Sequence, residues 1–437
     1  MNTSSLAGHT VELLDRVIRS SLPTDRVVHD FYRERRYLGS HDRKWINEKI
    51  YGIVRNFILL RELSTRCSIA PGPLPIFLAH EIIVGRLRVQ DLEREYGPVL
   101  EAYRLSGSEL HVDLFFSCIT EAHLKITEQG ADLPLAHSFP DFFPDMLDPD
   151  VRSESVDIMT SLNHEAKVSI RVDLNRISRE DAVRVLADEG ITAELGQYSP
   201  LSLYFSNRVN LNSERLYKDG MIEVQEEASQ LVGLIVDPQE GELIVDACAG
   251  AGGKSLEVAS LSRGRARIYA LDVDDARLRN LGTRAARCGY PAIERLKVNE
   301  RDLGDAVSLT SSADKVIVDA PCSGSGTIRR NPDKKFRLTR ESVTRHSRYQ
   351  LELLTRYSDL VRPGGILVYS TCSIFFEENR GVVESFIAAD KRFILDDAGD
   401  HLSPEKREEL TKEGFLSIYP HRHGIDGFFA AVLRRLK

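Results

Sequence analysis

The sequence predicts an α/β protein: a doubly wound, mostly parallel sheet in the carboxy-terminal half, preceded by an all-helical domain and a small α/β linker domain. Three observations carry that expectation. From about residue 216, short apolar runs alternate with helix-length amphipathic segments, the pattern of a parallel sheet covered on both faces. A glycine-rich turn, DACAGAGGKS at 246–255, follows one such run and opens a helix, as phosphate- and nucleotide-cradling turns do. Two further runs end in cysteine loops, DAPCSGSGT around Cys322 and YSTCSIF around Cys372. Both thiols are thereby expected at the carboxyl edge, where open α/β sheets bind ligands.

Taken in order, residues 1–130 read as a helical domain. Val11, Leu14, Val17 and Ile18 form one stripe, and Ile46, Ile50, Ile53, Val54 and Leu59 form another behind the capping signal at 40–42. Apolar patterns at 74–89 and 110–126 follow, the first set off by Pro71-Gly72-Pro73. Residues 131–215 read as a connector and a small α/β module. The proline-rich stretch 134–149 is expected to be extended, 168–172 and 201–205 to be strands, and 179–188 a helix ended by Gly190. Residues 216–437 supply the strands expected at 243–246, 268–272, 316–319 and 366–370, with another near 296–298. Helices are expected at 224–235, 255–261, 276–287 and 341–361, and a late strand, 427–433, antiparallel at the sheet edge.

Bulk properties narrow the function classes. With 437 residues and 42% apolar content the chain has cores for two or three domains. It has no apolar run near the ~20 residues that span a bilayer and no signal-peptide layout at its start, so a cytoplasmic protein is expected. Cys67, Cys118, Cys248, Cys288, Cys322 and Cys372 show no CxxC pair, so reduced thiols are expected, with Cys67, Cys118 and Cys288 as core. No histidine spacing calls for a metal. A net charge of −8 argues against indiscriminate coating of nucleic acid, yet residues 329–348 carry eight Lys/Arg against two acids directly after the Cys322 loop.

The glycine turn admits several cofactors. A P-loop needs glycine where Cys248 stands, and a dinucleotide fingerprint needs glycine or alanine where Ser255 stands. Asp272, at the next strand end, suits a ribose diol of either a dinucleotide or S-adenosylmethionine. Asp246 fits the latter better, as a carboxylate toward the ammonium or sulfonium region. Asp302 reads equally as an adenine contact or as a loop cap.

At these residues the chain resembles the Sun/Fmu, RsmB-like family of RNA cytosine-5 methyltransferases. The likeness rests on VQEEASQL at 224–231, DACAGAGGKS, ALDVDDARL at 270–278, VDAPCSGSGTIRRNPD at 318–333, LVRPGGILVYSTCSIFFEEN at 360–379 and DGFFAAVLRR at 426–435. It extends more weakly to SFPDFFPDML at 138–147 and to 171–191. EKIYGIVRN at 48–56 gives a thin match to the NusB-like helical domain that binds RNA. The resemblance implies a Rossmann-like methyltransferase domain and S-adenosyl-L-methionine as cofactor. It implies that Asp246, Cys248, Ala249, Gly250, Ala251, Gly252, Gly253, Lys254, Asp272, Asp302 and Asp319 bind the cofactor. Cys372 is implied as the nucleophile on cytosine C6, Cys322 as the thiol assisting loss of the C5 proton and release, and Asp319 as the acid orienting the base.

The expected partner is RNA, above all small-subunit ribosomal RNA, gripped by Arg329, Arg330, Lys334, Lys335 and Arg337; the protein is expected to be a monomer. Transfer RNA is the alternative substrate, and a non-catalytic ribosome-assembly factor the alternative role. A nicotinamide-dependent oxidoreductase accounts for the glycines and Asp272 but leaves both cysteine loops unexplained. The chain departs from the family in having Gly250-Ala251 for Ala-Pro, which loosens the turn. It also has Phe336 where tryptophan is usual, which keeps a stacking face and loses the indole donor.

Overall fold

In the computed structural model, which describes residues 1–105, 110–128, 132–206, 209–211 and 213–437, the chain divides into two units. One comprises 1–164 with 328–338, the other 165–327 with 339–437.

The first unit is helical. Helices Thr3–Arg19, Ser40–Arg55, Phe57–Arg66, Pro73–Ile83 and Val112–Glu128 bury Leu13, Ile50, Leu60, Phe77 and Ile119 in one core. The helix Val89–Leu105, which carries Pro98 in its interior, joins them. The stretch 134–149 is not the extended connector expected from its prolines. It forms one-turn helices at Leu133–Ala136 and Phe143–Met146 and a tight turn at Pro149–Glu154, each with proline in the first turn, where its missing N–H costs nothing. It groups with the helical unit, which runs on to His164, rather than with the α/β module. The expectation of reduced thiols is also corrected: Cys67 and Cys118 are joined in a disulfide. Their 51-residue separation carries no spacing signal, and only the packing of two helices brings their Cα atoms to 5.8 Å.

The return of residues 328–338 to this unit overturns one expected RNA contact. Lys335 is 1% exposed. Its ammonium donates to the Arg55 carbonyl and, at 2.8 Å, to Asn163 Oδ1, and lies 4.4 Å from the Phe139 ring centroid. Its neighbour Phe336 packs on Phe57 at 4.6 Å, and Asp333 accepts from the Thr24 amide and pairs with Arg337 at 3.2 Å. Lys335 is an anchor inside the helical unit and presents no charge to RNA. Arg329, Arg330, Lys334 and Arg337 are half-buried.

The second unit holds two sheets. The small one has the order β2-β3-β1-β4, all antiparallel, from β1 (Val168–Val172), β2 (Ala193–Leu195), β3 (Ser202–Phe205) and β4 (Ile222–Val224). The large one is built on β5 (Leu243–Asp246), β6 (Arg267–Asp272), β7 (Glu294–Lys297), β8 (Ala313–Asp319) and β9 (Val361–Thr371), parallel in the order β9-β8-β5-β6-β7. The chain steps outward from β5 through β6 to β7, then returns to the other side of β5 at β8. The β5/β8 boundary is therefore the switch point at which a crevice opens. Helices Gly253–Leu261, Asp275–Cys288 and Arg340–Ser358 lie in the crossovers β5–β6, β6–β7 and β8–β9, and Glu227–Val236 leads from the small sheet into β5.

The sheet continues through β10 (Phe393–Asp396), β11 (Thr411–Lys412), β12 (Phe415–Ile418) and β13 (Phe428–Arg435). β13 is antiparallel to β9, as expected, but it is not an edge: β12 and β10 also pair with it. Its buried residues 428–433 need cover that an edge strand would lack, and the short strands that provide it are too brief to show periodicity. Among the described residues no helix is long and apolar enough to cross a membrane.

Candidate active site

Four strand ends of the second unit converge on one cavity of about 500 Å³, large enough for a nucleoside-sized ligand. β5 delivers Cys248, β6 delivers Asp272, β8 delivers Asp319 and Cys322, and β9 delivers Cys372; Lys254 and Phe428 complete the wall. The parallel β8/β9 register sets Asp319 opposite Ser370, so the two cysteine loops leave the sheet side by side. Their sulfurs lie 3.4 Å apart, both half-buried.

A set of bonds that sequence reasoning missed holds those loops together. Glu378 is fully buried and accepts from the Ser323 amide at 2.7 Å, from the Ser323 hydroxyl, from Ser373 Oγ at 2.6 Å and from Gln350 Nε2 at 3.1 Å. One carboxylate thus ties the residue after Cys322 to the residue after Cys372. The backbones also touch: Gly326 N donates to the Cys372 carbonyl at 3.0 Å and Gly427 N to the Gly326 carbonyl at 2.9 Å. A Cβ on Gly326 would collide with the Gly427 carbonyl, so glycine is required there. The available signal was the acidic pair Glu377-Glu378 after Phe375-Phe376; the first is exposed and the second buried, where a carboxylate must find several donors.

Asp319 is engaged on both oxygens, by Ser370 Oγ at 3.0 Å and by the Lys254 ammonium at 2.6 Å. Lys254 also donates to Ser229 Oγ at 3.1 Å and sits 5.1 Å from the Phe428 ring centroid. Burial opposes its charge, but the adjoining Asp319 carboxylate outweighs burial and raises its pKa above the ordinary lysine value. Lys254 is a fixed cation at the thiol end of the cavity.

The glycine turn runs from β5 into Gly253–Leu261. Gly250 (φ +54°) and Gly252 (φ +89°) take left-handed conformations, and Gly252 N closes the turn on the Ala249 carbonyl at 2.8 Å. Cys248 and Lys254 line the cavity, whereas Ala249, Gly250, Ala251, Gly252 and Gly253 shape the path between them. Asp272 accepts from Gly250 N and from Asp274 N, each at 2.8 Å, which fixes its carboxylate at the cavity wall with lone pairs to spare for hydroxyl donors.

Asp246 and Asp302 stand elsewhere. Asp246 is 1% exposed beneath the turn, accepting from Ser255 Oγ at 2.6 Å, and burial pushes its pKa up to about 6. It does not line the cavity. Asp302 is exposed and caps its own loop, accepting from Gly304 N at 2.9 Å and Asn299 Nδ2 at 3.1 Å. The Cys248 thiol is pushed well up by burial and then by the carboxylates of Asp246 and Asp319, which keeps it protonated and unreactive. Among the described residues no cluster of three or more His, Cys, Asp or Glu is arranged to hold a metal.

Comparison with known proteins finds methyltransferases. Residues 233–434 match the family model described as 16S rRNA methyltransferase RsmB/F, and residues 139–212 match that of the RsmF/B-like ferredoxin-like domain. A probable ribosomal RNA small subunit methyltransferase B of Bacillus subtilis is 32% identical over 62% of this chain and 60% of its own length. Its counterpart in Synechocystis is 28% identical over 91% of this chain and 92% of its own length. The solved structure of a methyltransferase homolog protein from Pyrococcus horikoshii superposes with a TM-score of 0.58 at 27% identity, over 71% of this chain and all of that one.

Proposed function

We propose that the chain, which belongs to the RsmB/F methyltransferase family through residues 139–212 and 233–434, methylates C5 of a cytosine in RNA through a covalent Cys372 adduct. Small-subunit ribosomal RNA is the favoured substrate, as the names of its relatives suggest. The observation that carries this reading is the pair of thiols 3.4 Å apart, facing a cavity that also holds an ion-paired carboxylate.

S-adenosyl-L-methionine supplies the electrophilic methyl group. The residues present suit it: Asp272 offers a fixed acceptor for a ribose diol, and the wall mixes apolar surface with a few polar groups. C5 of cytosine is a weak nucleophile, so the protein's task is to activate it. The Cys372 thiolate adds to C6, forming an S–C6 bond and sending the C5=C6 electron pair to C5. C5 would take the methyl group with that pair as the methyl–sulfur bond breaks, its electrons staying on sulfur so that the donor leaves as the neutral thioether. Cys322, beside it, assists removal of the C5 proton, whose bonding pair restores the double bond as the S–C6 bond breaks. Asp319, held in place by Lys254, accepts from the exocyclic amine of the base and orients the ring between thiol and methyl donor. A base attacked on one face and methylated from the other must be unpaired or swung from its stack.

The test is adduct trapping. Cys322→Ala incubated with cofactor and RNA should accumulate a covalent protein–RNA species that denaturing gels resolve, and Cys372→Ala should form none. Equal yields from the two variants would overturn the assignment.

A further inference from the structure

The helix Asp275–Cys288 touches the glycine turn at two successive points. Leu281 occupies the space into which a Cβ on Gly252 would project. One turn further on, Arg284 Nη1 donates to the Ala251 carbonyl at 2.6 Å. Ala251 lies between the two left-handed glycines, three residues from Cys248 and three from Lys254, both of which line the cavity. Flanked by glycines on both sides, that carbonyl has little local reason to hold one orientation.

The arginine is itself braced from another sheet. Arg284 Nη2 donates to Glu223 Oε2 at 2.6 Å, and Glu223, on β4 of the small sheet, is 4% exposed. The other oxygen of Glu223 accepts from Arg287 and from Cys288 Sγ at 3.1 Å. Arg287 in turn donates to the Tyr217 carbonyl. A guanidinium reaches two acceptors in one plane, which a lysine ammonium on a flexible stem does not reproduce.

We propose that Arg284 is a positioning residue that sets affinity for the methyl donor. It locks the Ala251 carbonyl against the small sheet and so fixes the turn between Cys248 and Lys254. The inference rests on the cofactor reading above. It makes the small sheet, through Glu223 on β4, part of the cofactor site although no residue of its four strands lines the cavity.

The experiment is calorimetric titration of the full chain with S-adenosylmethionine, for wild type, Arg284→Met and Arg284→Lys. Loss of one charge-assisted hydrogen bond to the turn raises Kd roughly tenfold in Arg284→Met. Arg284→Lys, which holds one acceptor at a time, falls between the two. In steady-state methyl transfer, KM for the cofactor rises with Kd while kcat at saturation moves by less than about twofold, a split that general loosening of the fold does not produce. The thermal shift induced by a fixed cofactor concentration shrinks in the same order. Wild type that binds no S-adenosylmethionine would sink the cofactor reading. Wild type that binds, with variants of equal Kd, or a kcat loss with unchanged KM, would sink the role of Arg284.

Discussion

Two lysines show how differently the two units use a buried cation. Lys254, in the catalytic unit, is 7% exposed and faces the Asp319 carboxylate; Lys335, in the helical unit, is 1% exposed and donates to two neutral oxygens. Burial acts against the charge of both. In Lys254 the carboxylate prevails and the pKa rises. In Lys335 nothing compensates, Arg55 adds repulsion, and the pKa falls well below the ordinary value. A buried lysine thus has its charged form favoured or disfavoured according to what faces it.

The comparison breaks most visibly on catalysis. Lys254→Met removes the cation that pairs with Asp319 and holds it in place, and should lower the rate of methyl transfer by about 10²–10³-fold, as loss of a preorganised charge at a reacting base does. Lys335→Met should leave the rate per folded molecule at the wild-type value. A loss below tenfold for Lys254→Met would show that Asp319 needs no partner.

Stability sharpens the contrast in the other direction. Lys335→Met strands the Arg55 carbonyl and Asn163 Oδ1, a cost of about 1–3 kcal/mol. The cost should depend on pH. With its folded pKa held down, the unfolded chain binds a proton that the folded unit does not. The contribution of Lys335 is therefore fully present above the unfolded value of about 10.4 and is lost as pH falls through the folded one. Denaturant titrations should show a wider gap between wild type and Lys335→Met at pH 9 than at pH 7. A gap that widens toward acid would mean that the ammonium is charged in the fold.

These residues also mark where sequence reading succeeds. The strands ending at Asp246, Asp272, Asp319 and Thr371 were legible because a central parallel strand is an uninterrupted apolar run, and each was followed by chemically unusual residues. That regularity also located the two thiols. Glu378 was not legible as a tie because its donors, Ser323, Ser373 and Gln350, come from three separate segments. The same holds for Arg284 and Glu223, which meet across a helix and a sheet 61 residues apart. Charge count misled at Lys335, since a run of cations looks alike in sequence whether a member faces solvent or plugs a core. Residues 328–338 belong to the helical unit although neighbours on both sides belong to the other.

The smallest effect separates adjacent residues. Lys334 is half-buried, whereas Lys335 is sealed inside. A cation that contacts single-stranded RNA contributes about 0.7 to the slope of log affinity against log salt. Filter binding of the target RNA across a salt series should therefore give Lys334→Ala a slope shallower by up to about that amount. Lys335→Met should give the wild-type slope, because a side chain buried inside the fold displaces no counterion. If the slope falls for Lys335→Met and not for Lys334→Ala, the strand 328–338 must leave the helical core when RNA binds, and the anchor becomes a switch.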